Sequence, residues 1–247
     1  QFDRINTKGL DRKTCEGIAL RAERERDFSP TLVSPITGEA ITVGLSSGTS
    51  GSRGLFVASP SERALWADVI LRRILPDLFR RRHRIALVLR SGSNLYRTLG
   101  KGHVEFCHHD LYAPWKDLAA SLEHQNPTLI AAPPSVLGML ARHGIAPRLR
   151  SVRRILSVAE VFEPDVERDV QAAFGVRVEQ IYQCTEGLLA TPCAHGTLHL
   201  HEEHLIIEQE WLDETKTRFR PILTDFRRRA QPVIRYRLND ILVAGHC

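Results

Sequence analysis

Short runs of Val, Ile, Leu and Ala recur from Ile41 to Tyr182, each bounded by Gly, Pro, Ser or charge, with amphipathic stretches between them. Strands of this kind bury both faces, and a sheet covered by helices accommodates them. The expected fold class is α/β, with mixed sheets covered by helices and an antiparallel region at the C-terminal end. Predicted strands are Ile41 to Leu45, Leu55 to Ala58, Arg84 to Leu89, Thr128 to Ala131, Arg154 to Ser157 and Gln180 to Tyr182. Predicted helices are Ser61 to Leu78, opened by its serine, Trp115 to His124, Pro134 to His143 and Pro164 to Phe174. The last has Pro at its start and Gly175 after its end, the asymmetry expected of helix termini. After Gly196 the pattern becomes alternating, in Thr197 to His201, Leu205 to Glu208 and Pro232 to Tyr236, with a charged connector before the last. These read as antiparallel hairpins.

At 247 residues and 43% hydrophobic, the chain is large enough for a substantial core. The reading is one large domain over residues 1–247, with α/β subregions at about 1–125 and 126–195 and a β-rich subregion at 196–247. No apolar run approaches the roughly 20 residues that span a bilayer, and the first residues lack a secretion-signal layout. A cytoplasmic protein without a membrane partner is expected. Its five cysteines are odd in number and irregularly spaced, so reduced thiols are expected rather than a disulfide framework. The formal charge is +5, concentrated in Arg80 to Arg84, Arg148 to Arg154 and Arg227 to Arg229. These clusters lack interleaved aromatics and any nucleic-acid-binding signature, so solvated faces are preferred to a nucleic-acid partner.

The most informative stretch is Ser46-Ser47-Gly48-Thr49-Ser50-Gly51-Ser52-Arg53-Gly54, which follows an apolar strand. Glycines let successive backbone N–H groups turn toward one anion, hydroxyls add donors that reorient freely, and a guanidinium neutralises phosphate through a fixed fork. A Walker A loop is excluded, because Gly-Lys-Ser/Thr is missing and a strand rather than a helix follows. On composition alone, a flexible Gly/Ser turn between two strands is an equal alternative.

The same stretch resembles the phosphate loop of the adenylate-forming enzymes, the superfamily of acyl-CoA synthetases, luciferases and peptide-synthetase adenylation domains. Two further motifs follow in the order that family uses. Tyr182-Gln183-Cys184-Thr185-Glu186-Gly187 resembles Tyr-Gly-x-Thr-Glu, and Arg235-Tyr236-Arg237-Leu238-Asn239-Asp240 resembles Tyr-Arg-Thr-Gly-Asp. Pro133 to Leu137, Leu156 to Glu160, Gly196 to Glu203 and Gln231 to Arg237 are most similar to the phenylacetate-CoA ligase and coenzyme F390 synthetase branch. The resemblance covers about Thr42 to Ala244.

The resemblance implies activation of a carboxylic acid, aryl or medium-sized, as its acyl-adenylate with release of pyrophosphate. Transfer to the thiol of coenzyme A or of an acidic carrier protein's phosphopantetheine would follow. ATP and Mg²⁺ are the implied cofactors. Ser46, Ser47, Gly48, Thr49, Ser50, Gly51 and Gly54 would grip the β- and γ-phosphates, with Arg53 where many relatives carry lysine. Thr185 would bond the α-phosphate and Glu186 would ligate the metal. Asp240 would accept the ribose hydroxyls, and Ala159, Glu160 and Tyr182 would line the adenine slot. His108, His109, Trp66 and Pro133 are candidates for the acid pocket. The family places a small C-terminal domain with a catalytic lysine after the third motif, and only the large domain is expected within these 247 residues. The alternative is a non-catalytic nucleotide-binding module with the same fold.

The sequence departs from the family at Gln183, Cys184 and Leu238-Asn239, which touches adenine and acyl specificity more than ATP binding. Cys184 invites a nucleophile reading, but no neighbouring base is evident, and small packing near the acyl pocket is preferred. Cys193, His195, His199, His201 and His204 are ligand types that suit zinc. Their spacing is irregular and alternating residues share a face by period alone, so polar exposure is preferred to metal.

Overall fold

In a computed structural model, residues 6–46, 53–90, 92, 96, 98–100 and 102–247 are described. Ser47, Gly48, Thr49, Ser50, Gly51 and Ser52 of the expected phosphate loop lie outside them.

The centre is a five-stranded parallel sheet of β4 (His83–Leu89), β5 (Val104–Asp110), β6 (Leu129–Ala132), β7 (Arg154–Ser157) and β8 (Val178–Gln180), in the order β5-β4-β6-β7-β8. Alternation sends Ala86, Val88, Ile130, Ala132 and Ile155 to one face. There they pack on α3 (Trp115–Gln125), α4 (Pro134–Arg142) and α5 (Pro164–Phe174), through Leu118, Leu122, Leu137, Leu140 and Val170. Ile85, Leu87, Leu129, Ala131 and Leu156 point the other way, against Ala67, Ile70 and Ile74 of α2 (Pro60–Ile74). Burial of both faces is why these strands read as continuous apolar runs. The strand order reverses between β4 and β6, so the carboxyl ends of β4 and β6 border the crevice in which open α/β sheets bind ligands, with β7 next to β6. The sheet runs from residue 83 to 180, across the subregion boundary near 125.

Three antiparallel sheets surround this core. One contains β1 (Leu32–Val33), β2 (Ala40–Leu45) and β3 (Leu55–Ala58), with α1 (Arg12–Glu25) packed on it through Cys15, Ala19 and Ala22. A second contains β9 (Tyr182–Cys184), β10 (Gly187–Pro192) and β11 (Leu198–Leu200). The third contains β12 (Ile206–Trp211), β13 (Arg218–Asp225) and β14 (Val233–Arg237), with β15 (Leu242–Val243) on β13.

Strands Leu55–Ala58 and Arg154–Ser157 and helix Pro164–Phe174 have the bounds expected from the sequence. Other elements differ. The serine that opens α2 is Ser59, not Ser61: its hydroxyl accepts the Glu62 N–H while the Glu62 carboxylate accepts the Ser59 N–H, a capping box. The helix stops before Pro76, whose ring and missing N–H oppose continuation to Leu78. The predicted strand Gln180 to Tyr182 divides at Ile181, where the chain leaves the parallel sheet for β9.

Helix α1 and strands β5 and β13 were not expected. β5 is an edge strand with polar residues, Val-Glu-Phe-Cys-His-His-Asp. β13 occupies the supposed charged connector and contains Pro221, a residue that argues against a central strand. Here its missing N–H lies where pairing with β14 ends at Ile222 and pairing with β15 begins at Phe219, and its carbonyl accepts Leu238 N–H at 3.0 Å.

Glu62 also joins distant parts of the chain. Its Oε1 accepts the N–H groups of Arg229 and Ala230, at 2.7 and 3.0 Å, in the loop before β14. Glu62→Ala removes the capping box and orphans these donors, and should cost about 2 kcal/mol. Glu62→Gln, which keeps one acceptor oxygen, should cost less. Urea unfolding of the three proteins checks this order; equal stability of wild type and Glu62→Ala would refute the tie.

Candidate functional site

The stretch from Ser46 to Gly54 is the connection of a hairpin. β2 and β3 pair from Thr42↔Ala58 to Leu45↔Leu55, and the neck closes beyond the last pair. Ser46 N–H donates to the Gly54 carbonyl at 2.8 Å, and Gly54 N–H donates to Ser46 Oγ at 2.7 Å. This brings Ser46 and Gly54 together.

Thr185-Glu186 is the two-residue turn between β9 and β10, following the pair Cys184↔Gly187. A turn this tight requires special backbone conformations next to it, and Gly187 adopts φ +157°. The turn abuts the loop neck: a Cβ added at Gly54 would lie 3.7 Å from Thr185 Cγ2 and 3.6 Å from Ser46 Oγ. The first two motifs thus converge, although they are far apart in sequence.

The third motif arrives through Tyr182. Its hydroxyl donates to Asp240 Oδ2 at 2.6 Å, joining the start of β9 to the link between β14 and β15. Burial, followed by the hydrogen bond to Asp240, drives the Tyr182 phenol well above its ordinary range and keeps it a donor. Leu238 is buried beneath the link and fixes the approach of Asp240. Arg235 and Arg237 of this motif face β12 instead, bonded to Glu208 at 2.9 Å and Glu210 at 2.7 Å.

At the carboxyl end of β7, Ala159 adopts φ +69°, a left-handed conformation that costs a non-glycine residue about 1 kcal/mol or more. Ile181 N–H donates to Ser157 O at 3.2 Å, so this segment and Tyr182 leave neighbouring strand ends. Glu160 reaches back to the N-terminus of α4, where its carboxylate accepts Ser135 N–H at 3.3 Å and Ser135 Oγ–H at 3.1 Å. It caps that helix, a favourable place for a negative charge.

Arg53 is not directed at the turn. Its fork is bidentate to Glu23 of α1, with the Nη1 contact at 2.7 Å, and its Nε donates to Ser46 O at 2.7 Å. The pair is partly buried, and the hydrogen bond to Glu23 raises the Arg53 pKa further.

A cavity of about 90 Å³ lies beside Thr185-Glu186, walled by Phe56, Trp66, Val69, Leu188 and Leu205 and bordered by Arg227 and Arg228. Trp66, expected to line the acid pocket, is here. His108 lines another cavity, of about 320 Å³, with Arg26, Phe28 and Asp110. His109 is buried between β5 and α3, bonded to Gln125 at 2.8 Å and Ser121 at 3.1 Å, and Pro133 is buried at the start of α4. Burial, then the nearby Glu186 charge, pushes the Cys184 thiol well above its ordinary range, so it remains protonated.

Sequence reading missed Arg228 and Gln231. Arg228 Nη1 donates to the Glu186 carbonyl at 3.0 Å, bracing the turn, and Nη2 donates to Val57 O at 3.3 Å. Gln231 pairs with β3 as a strand would, accepting Val57 N–H at 3.1 Å and donating to Leu55 O at 2.9 Å. In sequence, Arg228 was one member of a basic cluster. The only signal that set it apart was the neighbouring Gln231-Pro232 before an apolar strand.

Of the suspected zinc ligands, His201 is buried with its Nε2 bonded to Thr191 Oγ1 at 2.9 Å, apart from the others. Cys193 and His199 instead meet Cys247.

Residues 93–212 match the AMP-binding enzyme family. No curated protein sequence matches the chain. Among solved structures, it is similar to 2-hydroxyisobutyryl-CoA ligase in an open conformation with 2-HIB-AMP and CoA, at TM-score 0.63 and 16% identity, over 81% of this chain and 48% of that one. A long-chain-fatty-acid-CoA ligase from Archaeoglobus fulgidus gives 0.56 and 14%, over 78% and 43%. The anthranilate CoA ligase AuaEII with anthranoyl-AMP gives 0.55 and 14%, over 75% and 39%. The chain therefore spans about half the length of these ligases or less. Among the described residues, no helix is long and apolar enough to cross a membrane. Residues 93–212 carry the match to the AMP-binding enzyme family, and the chain has the fold that these ligases share over the aligned region.

Proposed function

We propose that this domain binds ATP and a carboxylic acid and activates the acid as its acyl-adenylate. A carboxylate oxygen attacks the α-phosphorus, the bond to the bridging oxygen of the β-phosphate breaks, and pyrophosphate leaves. The observation that carries this reading is the convergence of three separate segments: the Ser46–Gly54 neck against Thr185, and Tyr182 on Asp240. Attack at phosphorus depends on holding the reactants in line and on neutralising charge, and the convergence of these segments supports that role.

Residues 46–54 supply backbone and hydroxyl donors for the β- and γ-phosphates. Thr185, whose methyl lies against the loop neck, would offer its hydroxyl to the α-phosphate. Glu186, on a braced turn, offers the hard carboxylate oxygen that suits Mg²⁺ beside phosphates. That ion would neutralise phosphate charge. Asp240, positioned by Tyr182, accepts the ribose hydroxyls, and Ala159, Glu160 and Tyr182 border the adenine. The apolar wall of Phe56, Trp66 and Leu188, with Arg227 at its rim, fits the body and carboxylate of an aryl or medium-sized acid. Coenzyme A, which is bound in the 2-hydroxyisobutyryl-CoA ligase structure, is the proposed thiol acceptor, with an acidic carrier protein's phosphopantetheine as the other candidate.

The engagement of Arg53 by Glu23 favours one second reading, a non-catalytic nucleotide-binding module, because phosphate would have to compete with a bidentate carboxylate for the guanidinium.

ATP with Mg²⁺ should bind this domain in calorimetry, and Glu186→Ala and Asp240→Ala should each weaken binding by about tenfold or more, one charge-assisted contact being worth about 1.5–3 kcal/mol. Acid-dependent ATP–pyrophosphate exchange by a chain with the small domain then distinguishes the enzyme from the binding module. Lack of ATP binding by both would overturn the proposal.

Cys184 should resist iodoacetamide at about pH 8 in the native protein and react once urea unfolds it, because burial and Glu186 oppose its thiolate. Peptide mass spectrometry reads this out; rapid native alkylation would restore the nucleophile reading.

A further inference from the structure

The turn between β10 and β11 is Cys193-Ala194-His195-Gly196-Thr197, closed by Cys193 N–H to Thr197 O at 2.9 Å and Gly196 N–H to Cys193 O at 2.9 Å. The β10–β11 register sets His199 opposite Thr191, two residues from Cys193, so Cys193 and His199 share one face of the hairpin. Onto that face comes Cys247, beyond β15, its approach set by Ala244 N–H to Thr217 O at 2.8 Å. The two sulfurs are 3.5 Å apart, and one donor atom from each of Cys193, His199 and Cys247 lies within 4.8 Å of the others.

We propose that Cys193, His199 and Cys247 form a zinc site, with the fourth position taken by water or one further donor. The separation of the sulfurs is well beyond the roughly 2.05 Å of a disulfide. It is close to the edge of about 3.8 Å between two thiolates on a tetrahedral zinc with Zn–S bonds of about 2.3 Å. Two thiolates and an imidazole are donors that favour zinc over the hard cations that suit carboxylates.

The surroundings already have the form of a ligand shell. His195 N–H points at Cys193 Sγ, 3.4 Å away, a hydrogen bond of the kind that orients a thiolate toward a metal. The turn is held from behind by Arg177, which donates to Ala194 O at 2.9 Å and His195 O at 2.6 Å. Gly196 is required at φ +89°, and a Cβ there would collide with that guanidinium at 1.9 Å. The site would fasten the segment after Asp240 to the sheet carrying Thr185-Glu186, across 54 residues of sequence. It does not rest on the adenylation reading and needs no nucleotide to be tested.

Tag-free chain produced in zinc-supplemented medium should retain one zinc per chain after gel filtration, by elemental analysis. Cys193→Ser and His199→Asn should each lower retained zinc at least about tenfold. Cobalt(II) in the unaltered chain should give thiolate-to-metal charge-transfer absorption, a readout that stands if a variant fails to fold. Trace zinc in the parent, zinc retention indifferent to both substitutions, no charge-transfer band, or a Cys193–Cys247 disulfide in peptide mass spectra would each overturn the site.

Discussion

Burial of both faces of the parallel sheet is the constraint on which the rest of the structure depends. With Ile85 and Leu87 directed to α2 and Ala86 and Val88 to α3 and α4, helices must cover each side, leaving only the strand ends for chemistry. The carboxyl ends of β6 and β7 lead directly into Pro133-Pro134 and Val158-Ala159-Glu160. A rigid apolar slab thus presents irregular backbone at one rim, and Ala159 is held in its strained conformation there because the slab does not yield.

The antiparallel sheets bring the other chemical groups to that rim. A two-residue hairpin turn leaves Thr185 and Glu186 little conformational freedom, and its position is fixed by strand pairing on one side and by Arg228 on the other. Under the proposed function, hydroxyl and carboxylate would therefore need little reorganisation to meet a polyanion. Tyr182 does the same for Asp240, converting a carboxylate on an exposed link into one with a fixed direction.

Much of this was legible in the sequence because the signals are local. Leu55 to Ala58 and Arg154 to Ser157 are short apolar runs between clear breakers, and Pro164 with Gly175 marks a helix at both ends. The motifs could be read because each is continuous. What could not be read depends on tertiary placement. α1 buries only Cys15, Ala19 and Ala22, small residues that leave a weak periodic signal, and β5 tolerates Glu105 and His108 because it is an edge strand. Pro221 hid β13 because the gap between β14 and β15 that accommodates it exists only in the folded sheet. Arg53 looked like a phosphate ligand in a Gly/Ser loop, and nothing local announced Glu23. Cys247 could not be grouped with Cys193 without the path of the chain beyond β15.

The segment from Arg228 to Gln231 has a consequence for how this surface can vary. Loops usually accept insertions and substitutions because their backbone bonds to water. This one serves as an extra strand for β3, with a side-chain amide where a neighbouring backbone would be, while its own N–H groups bond to Glu62. Its tolerance to sequence drift should therefore resemble that of a sheet interior. Shortening or lengthening it by one residue would break the alignment of Gln231 with Leu55 and Val57, and the hairpin that carries the phosphate loop would lose its outer edge.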